Sequence, residues 1–158
     1  MGNVQKTSNK LAARSKIATF EESLLKLADG DLIEGDGKEI VHSNKFPMKH
    51  AFADGIYVRE MLMNKDSAVV GAIHKHLHVW FLLTGHLVVV TEDFKEEYIA
   101  PCYVVAKPGS KRLIYAVEES RFVNIHKNPD NTQDLKELEK NIVAMNYKEY
   151  EDYINKNK

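Results

Sequence analysis

The sequence predicts a mainly β single domain with helical segments at its two ends, and three observations predict it. The chain has 158 residues, 44% of them hydrophobic, which closes one core and leaves no obvious second one. From Asp31 to His126, short apolar runs are broken by turn residues about every ten positions, the spacing of an all-β sandwich or barrel. Helical spacing of apolar residues occurs only outside that block.

Taken in order, residues 1–18 carry Lys6, Lys10, Arg14 and Lys16 without an acidic residue and are rich in Ser, Asn and Gln. A flexible basic arm is expected there. Thr19 and Glu22 have capping-box spacing, and Phe20, Leu24, Leu25, Leu27 and Ala28 form an apolar stripe that stops at Asp29-Gly30. A short N-terminal helix is therefore expected, followed by a hairpin of Leu32-Ile33 and Ile40-Val41 around Gly35-Asp36-Gly37, so that residues 19–45 form an extension.

The barrel itself is expected over residues 46–127. Its strands are read as Ile56–Met63, Ala68–Ile73, Val79–Leu83, Leu87–Thr91, Glu97–Ile99 and Tyr103–Ala106, each ending at Gly, Pro, Asn or charged turn residues. Arg112–Val117 is expected to pair with Arg121–His126 across Glu118-Glu119-Ser120, giving eight or nine strands in all. After Asn128-Pro129-Asp130-Asn131, Leu135, Leu138, Ile142 and Val143 recur at helical spacing, and Tyr147, Tyr150, Tyr153 and Ile154 continue as a packing face. Residues 128–158 thus read as a C-terminal helical extension. Amphipathic stripes at both ends need surfaces to cover, so a homo-oligomer is expected.

Composition removes several classes of function. A net charge of −1 and a pI near 6.7 provide no overall attraction to a nucleic-acid duplex or an anionic membrane. Cys102 is the only cysteine, which rules out an intrachain disulfide and a multi-cysteine zinc site; beside Pro101 it reads as a structural thiol. No apolar run approaches the roughly 20 residues of a membrane span, and the N-terminus lacks the apolar core of a signal peptide. A soluble, cytoplasmic protein is expected.

The densest chemistry lies between Gly71 and His86, which holds His74, His76, His78, His86 and the sole tryptophan, Trp80. On an extended backbone, side chains two residues apart share a face, so positions 74, 76 and 78 would present three imidazoles together. Neutral imidazole is the commonest protein ligand for zinc, copper, nickel and iron. The plainer alternative is a row of partly exposed, hydrogen-bonded histidines, and the residues alone leave both open.

The short strands, the histidine-rich strand closing on Gly85 and the later Pro108-Gly109 turn together resemble the cupin family of jelly-roll β-barrels. That family's first motif has two histidines one residue apart, a glutamate four residues on and a glycine seven residues after it. Anchored on Gly85, those positions are Ala72, His74 and His78; anchored on Gly109, the family's later histidine is Arg112. Over roughly residues 46–150, Phe46-Pro47-Met48-Lys49-His50, Tyr57-Val58-Arg59-Glu60, Gly71–Gly85, Lys111-Arg112, Tyr115-Ala116 and Ile125-His126 resemble short cupin-like proteins of tailed bacteriophages.

The resemblance implies a metal site of His74, His78 and His126, with His76 as an alternative third imidazole, for a divalent iron, zinc, nickel or manganese ion. The residue types themselves, a cation beside imidazole donors and aromatic walls, also describe a pocket in which Arg112, Lys111, Tyr115 and Trp80 bind a small anionic molecule, with Tyr115 or Glu60 as weak candidates for a general base. Three functions follow as expectations: a metal-dependent enzyme in the host cytoplasm, a protein that sequesters a small molecule or nucleotide signal without turnover, and a structural subunit of the virion.

Overall fold

The computed structural model describes residues 2–26 and 46–157. Helix α1 (Gly2–Lys26) precedes β1 (Met48–Ala53), β2 (Ile56–Met63), β3 (Ala68–Val70), β4 (Ile73–His74) and β5 (His78–Thr84). Then come β6 (His86–Val90), β7 (Lys95–Ile99), β8 (Cys102–Ala106), β9 (Leu113–Ala116) and β10 (Ser120–Lys127). Helix α2 (Leu135–Ile142), β11 (Val143–Ala144) and α3 (Tyr147–Lys156) complete the described chain.

The strands form two main antiparallel sheets, ordered β1-β2-β10-β5-β8 and β3-β9-β6-β7, with a small β11-β4 pair. Alternation decides which residues face inward. In β5, His78, Trp80 and Leu82 are buried while Val79 and Phe81 are only half-buried. Inner-face residues from both sheets meet in one core containing Trp80, Leu82 and Phe122 from the first and Leu87, Val89, Ile114 and Ala116 from the second. Leu82 and Leu87 have no exposed surface, and each such side chain contributes about 2–3 kcal/mol by leaving water.

Registers stack the inner face of the larger sheet in rows. Arg59 lies opposite Asn124, Asn124 opposite Trp80 and Trp80 opposite Val104. The row on one side is Met61, Phe122, Leu82 and Cys102; the row on the other begins with Tyr57 opposite His126. Hydrophobic packing fills one end of the barrel, and polar chemistry is confined to the other.

Gly85, between β5 and β6, has φ +93°, and a Cβ there would stand 2.2 Å from Ser120 Oγ and 2.3 Å from Glu119 O. Left-handed strain and a backbone clash therefore coincide. Gly85→Ala is expected to lower stability by about 2–4 kcal/mol. Urea unfolding would measure the loss; an unchanged midpoint would mean that the turn yields.

At the polar end, Asp134 caps α2 by accepting hydrogen bonds from the backbone N–H groups of Lys136 (2.9 Å) and Glu137 (3.3 Å). The helix then buries Leu138 and Ile142 against Tyr57 and Val143. Val143 leaves the helix in an extended conformation and pairs with His74, while Lys75 N–H donates to Ile142 O at 2.8 Å. The C-terminal extension thus closes the barrel beside the histidines.

Four expectations are corrected. Residues 2–18 are not a loose arm: α1 runs unbroken through them and through Thr19, so no cap forms there. The helix docks by charge, with Lys10 3.0 Å from Asp93, Arg14 3.3 Å from Glu92 and Glu21 paired with Lys111, while Ile17 is buried and Phe20 exposed. Arg112–Val117 does not pair with Arg121–His126, because β9 joins β3 and β6 whereas β10 joins β2 and β5 in the other sheet. Val143 belongs to a strand rather than to the helix, and the run Ala68–Ile73 is divided at Gly71-Ala72. The expected hairpin around Gly35-Asp36-Gly37 lies outside the described residues. Among the described residues, no helix is long and apolar enough to cross a membrane.

Candidate metal centre

Three strands deliver three imidazoles to one point. His74 ends β4, His78 begins β5 and His126 lies near the end of β10. Their ring centroids are 4.0 Å (His74–His78), 5.0 Å (His78–His126) and 5.2 Å (His74–His126) apart, and one ligand atom from each lies within 4.8 Å of the others. All three side chains are buried. Tyr57 stacks on the outer side of His126 at 6.1 Å and hydrogen-bonds His50 Nδ1 at 2.7 Å, which fixes the His126 ring from behind.

Burial pushes the His78 imidazole down to about 4, with Arg112 adding to the effect, and His126 down to about 2, with Arg59 adding to it. His74 is held well below the ordinary histidine value, first by burial and then by its charged-form repulsion with His78, His126, Arg59 and Arg112. At neutral pH these are three neutral imidazoles with lone pairs available to a cation.

The hydrogen bonds assign the lone pairs. His78 Nδ1 donates to His76 O at 3.3 Å, which leaves its Nε2 unprotonated. His126 Nε2 and His74 Nε2 are buried with no hydrogen-bond partner. Orphaned ring nitrogens in a dry site are what a metal ion would satisfy. Metal–nitrogen bonds of 2.0–2.1 Å at a tetrahedral ion place ligand atoms about 3.3 Å apart, so small ring rotations would bring the three to bonding distance.

Arg112 sets a condition on that fit. Its Nη1 donates to His74 Nδ1 at 3.1 Å and its Nη2 to Lys107 O at 3.0 Å. A neutral imidazole that accepts at Nδ1 carries its proton on Nε2. His74 therefore ligates through Nε2 only when Arg112 has let go of Nδ1, and the donor set fits a metal in that arrangement.

The other expected site residues are distributed differently. His76 falls at a bend between β4 and β5 and turns to Tyr153, 5.7 Å away ring to ring, so the period-2 argument fails because the strand is not continuous. Tyr115 is on the outside of β9, where its hydroxyl donates to Asp66 at 2.7 Å. Lys111 is buried but is paired with Glu21 of α1. Trp80 is inside the barrel, packed edge-on against Tyr98 in the core rather than forming an open wall. Glu60 pairs with Lys49 (3.8 Å) and Arg121 (3.6 Å) from the row whose registers are offset from the inner one.

Sequence reasoning missed Arg59 and Asn124. Both were within reach of the alternation rule, since Arg59 is two residues from buried Tyr57 and Asn124 two residues from His126.

The fold and site together define a cupin-type jelly-roll β-barrel with three histidines that can hold a metal at one end. No protein-family profile and no curated protein matches the chain. Among solved structures, the plu4264 protein of Photorhabdus luminescens is similar with a TM-score of 0.50 and 12% identity, covering 68% of this chain and 97% of that one. A cupin 2 conserved barrel domain protein of Salinispora arenicola CNS-205 gives 0.47 and 13%, covering 65% and 92%. Ectoine synthase of P. lautus gives 0.49 and 9%, covering 60% and 72%. At such identity the likeness to plu4264 is one of fold alone.

Proposed function

We propose that this protein holds a divalent transition-metal ion through His74, His78 and His126 and acts on a small anionic molecule gripped by Arg112. The observation that carries the reading is the convergence of three buried imidazoles, two of them with orphaned Nε2 atoms, inside a closed barrel. Iron, zinc, nickel and manganese all accept imidazole, and such an ion would supply Lewis acidity or oxygen activation.

The chain's own part is binding and orientation. When His74 Nδ1 regains its proton, Arg112 loses an acceptor and its guanidinium is released toward an anion, which it can hold by paired charge-assisted hydrogen bonds. Closure by α2 and β11 keeps bulk water from the imidazoles.

Metal analysis of protein purified without an affinity tag tests the reading. Near-stoichiometric metal is expected, with its loss in His74→Ala; wild type that stays empty after incubation with each of the four ions would overturn it. Sequestration without turnover is the second reading, favoured by one observation: among the described residues, the inner rows around the triad carry no carboxylate to serve as general base. A co-purifying small molecule released unchanged on denaturation would select it.

A further inference from the structure

We infer that the ligand of the barrel carries two separated acidic groups, and that Arg59 holds the second while Arg112 holds the first. This rests on the anion reading above and adds a specificity-determining residue to it.

Alternation along β2 places Arg59 on the same face as Tyr57, the aromatic ring that stacks on His126. Its row is the one next to the histidines, about 7 Å along the strands, within reach of a long side chain. All three imidazoles feel its charge. Yet among the described residues Arg59 makes no hydrogen bond or ion pair, although it is half-buried and has five donors to satisfy. Glu139 of α2 feels its charge but forms no ion pair with it.

The charge around the site does not balance. Arg59 and Arg112 both act on the imidazoles, and a bound divalent ion would add to them. Glu92, the buried carboxylate that influences Arg112, is already held by Arg14 and Lys10 of α1. Uncompensated cations in a site removed from water are costly unless an anion arrives with the ligand.

The two guanidiniums stand on different walls. Arg59 comes from the five-stranded sheet, and Arg112 from the lead-in to β9 in the four-stranded one. Facing sheets are about 10 Å apart, so the charges suit two acidic groups at the ends of a short molecule better than one phosphoryl group. Asn124, opposite Arg59, is 4% exposed and its Oδ1 has no partner, so it offers an acceptor to a hydroxyl or amino group between those ends.

Calorimetric titration of the purified full chain with succinate, malate, butyrate and inorganic phosphate tests this. Succinate is expected to bind at least tenfold more tightly than butyrate, and malate more tightly than succinate. Arg59→Gln should erase the succinate preference, bringing succinate to the affinity of butyrate, and Arg59→Lys should restore part of it. Equal affinities for succinate and butyrate in the wild type would overturn the inference. So would phosphate binding more tightly than succinate and weakening in Arg59→Gln, because both arginines would then serve one group. If Arg112→Gln weakens every anion and Arg59→Gln weakens none, the inference alone fails. If neither variant changes any affinity, the anion reading fails with it.

Discussion

Protein stripped of metal and taken from pH 7 to pH 4 is expected to unfold, with a midpoint near pH 5. In the unfolded chain His74, His78 and His126 take up protons below about 6.5. In the fold, burial holds His78 neutral down to about 4 and His126 down to about 2, with His74 also well below the ordinary value. The unfolded state therefore binds more protons throughout this window, and stability falls as pH falls. Each group removes about 1.4 kcal/mol per pH unit, so from 6.5 to 4 His78 and His126 remove on the order of 7 kcal/mol together and His74 adds to it, comparable with the whole stability of a typical domain. Above about 6.5 these groups contribute no slope.

Glu139, whose carboxyl is raised by burial, works in the opposite direction, but it is one half-buried group against three dry ones. A bound metal stabilises only the folded, deprotonated ligands, so metal should move the transition to lower pH. Far-UV circular dichroism against pH, with and without the ion, measures both effects. A stripped protein that remains folded at pH 3.5 would show that the three imidazoles are wet.

The second large effect concerns Arg112, and it has opposite signs for the two ligands. Arg112→Gln is expected to tighten metal binding by tenfold or more and to weaken anion binding by about 10- to 100-fold. The first follows because the guanidinium places a positive charge beside the triad and occupies His74 Nδ1, fixing the proton on the nitrogen that would ligate. The second follows because a charge-assisted donor to the anion is gone. By reciprocity, an anion that draws Arg112 away should raise metal affinity in the wild type, and this coupling should vanish in the variant. Competition with a chelating dye, run with and without succinate, measures it. Metal affinity that falls in Arg112→Gln would mean that Arg112 supports His74 rather than competing for it.

Much of the fold was legible because it rests on local rules. Ile56–Met63 matches β2 residue for residue, and the reads of β5, β6, β8 and β10 were out by a single residue at one or both ends, because alternation and turn residues mark strands without reference to partners. The helical block after Asn131 was legible for the same reason, through Leu138 and Ile142 on one buried face. Residues 2–18 of the N-terminal helix were not: their charges and small polar residues carry no apolar stripe, and Lys10 and Arg14 are held by Asp93 and Glu92, residues distant in sequence.

The site divides in the same way. The sequence by itself determined which imidazoles could stand on a strand's inner face, and the resemblance picked out His74, His78 and His126, the three that the structure brings together. Tertiary structure alone decided that His76 turns away at a bend, that Tyr115 faces Asp66 outside, and that β10 reaches the triad through β5 rather than through β9. The physical reason is that alternation fixes only the side of a strand on which a residue lies. Which strands become neighbours, and so whether Arg59 and Arg112 oppose each other across the histidines, is settled by how two sheets bury their apolar faces together.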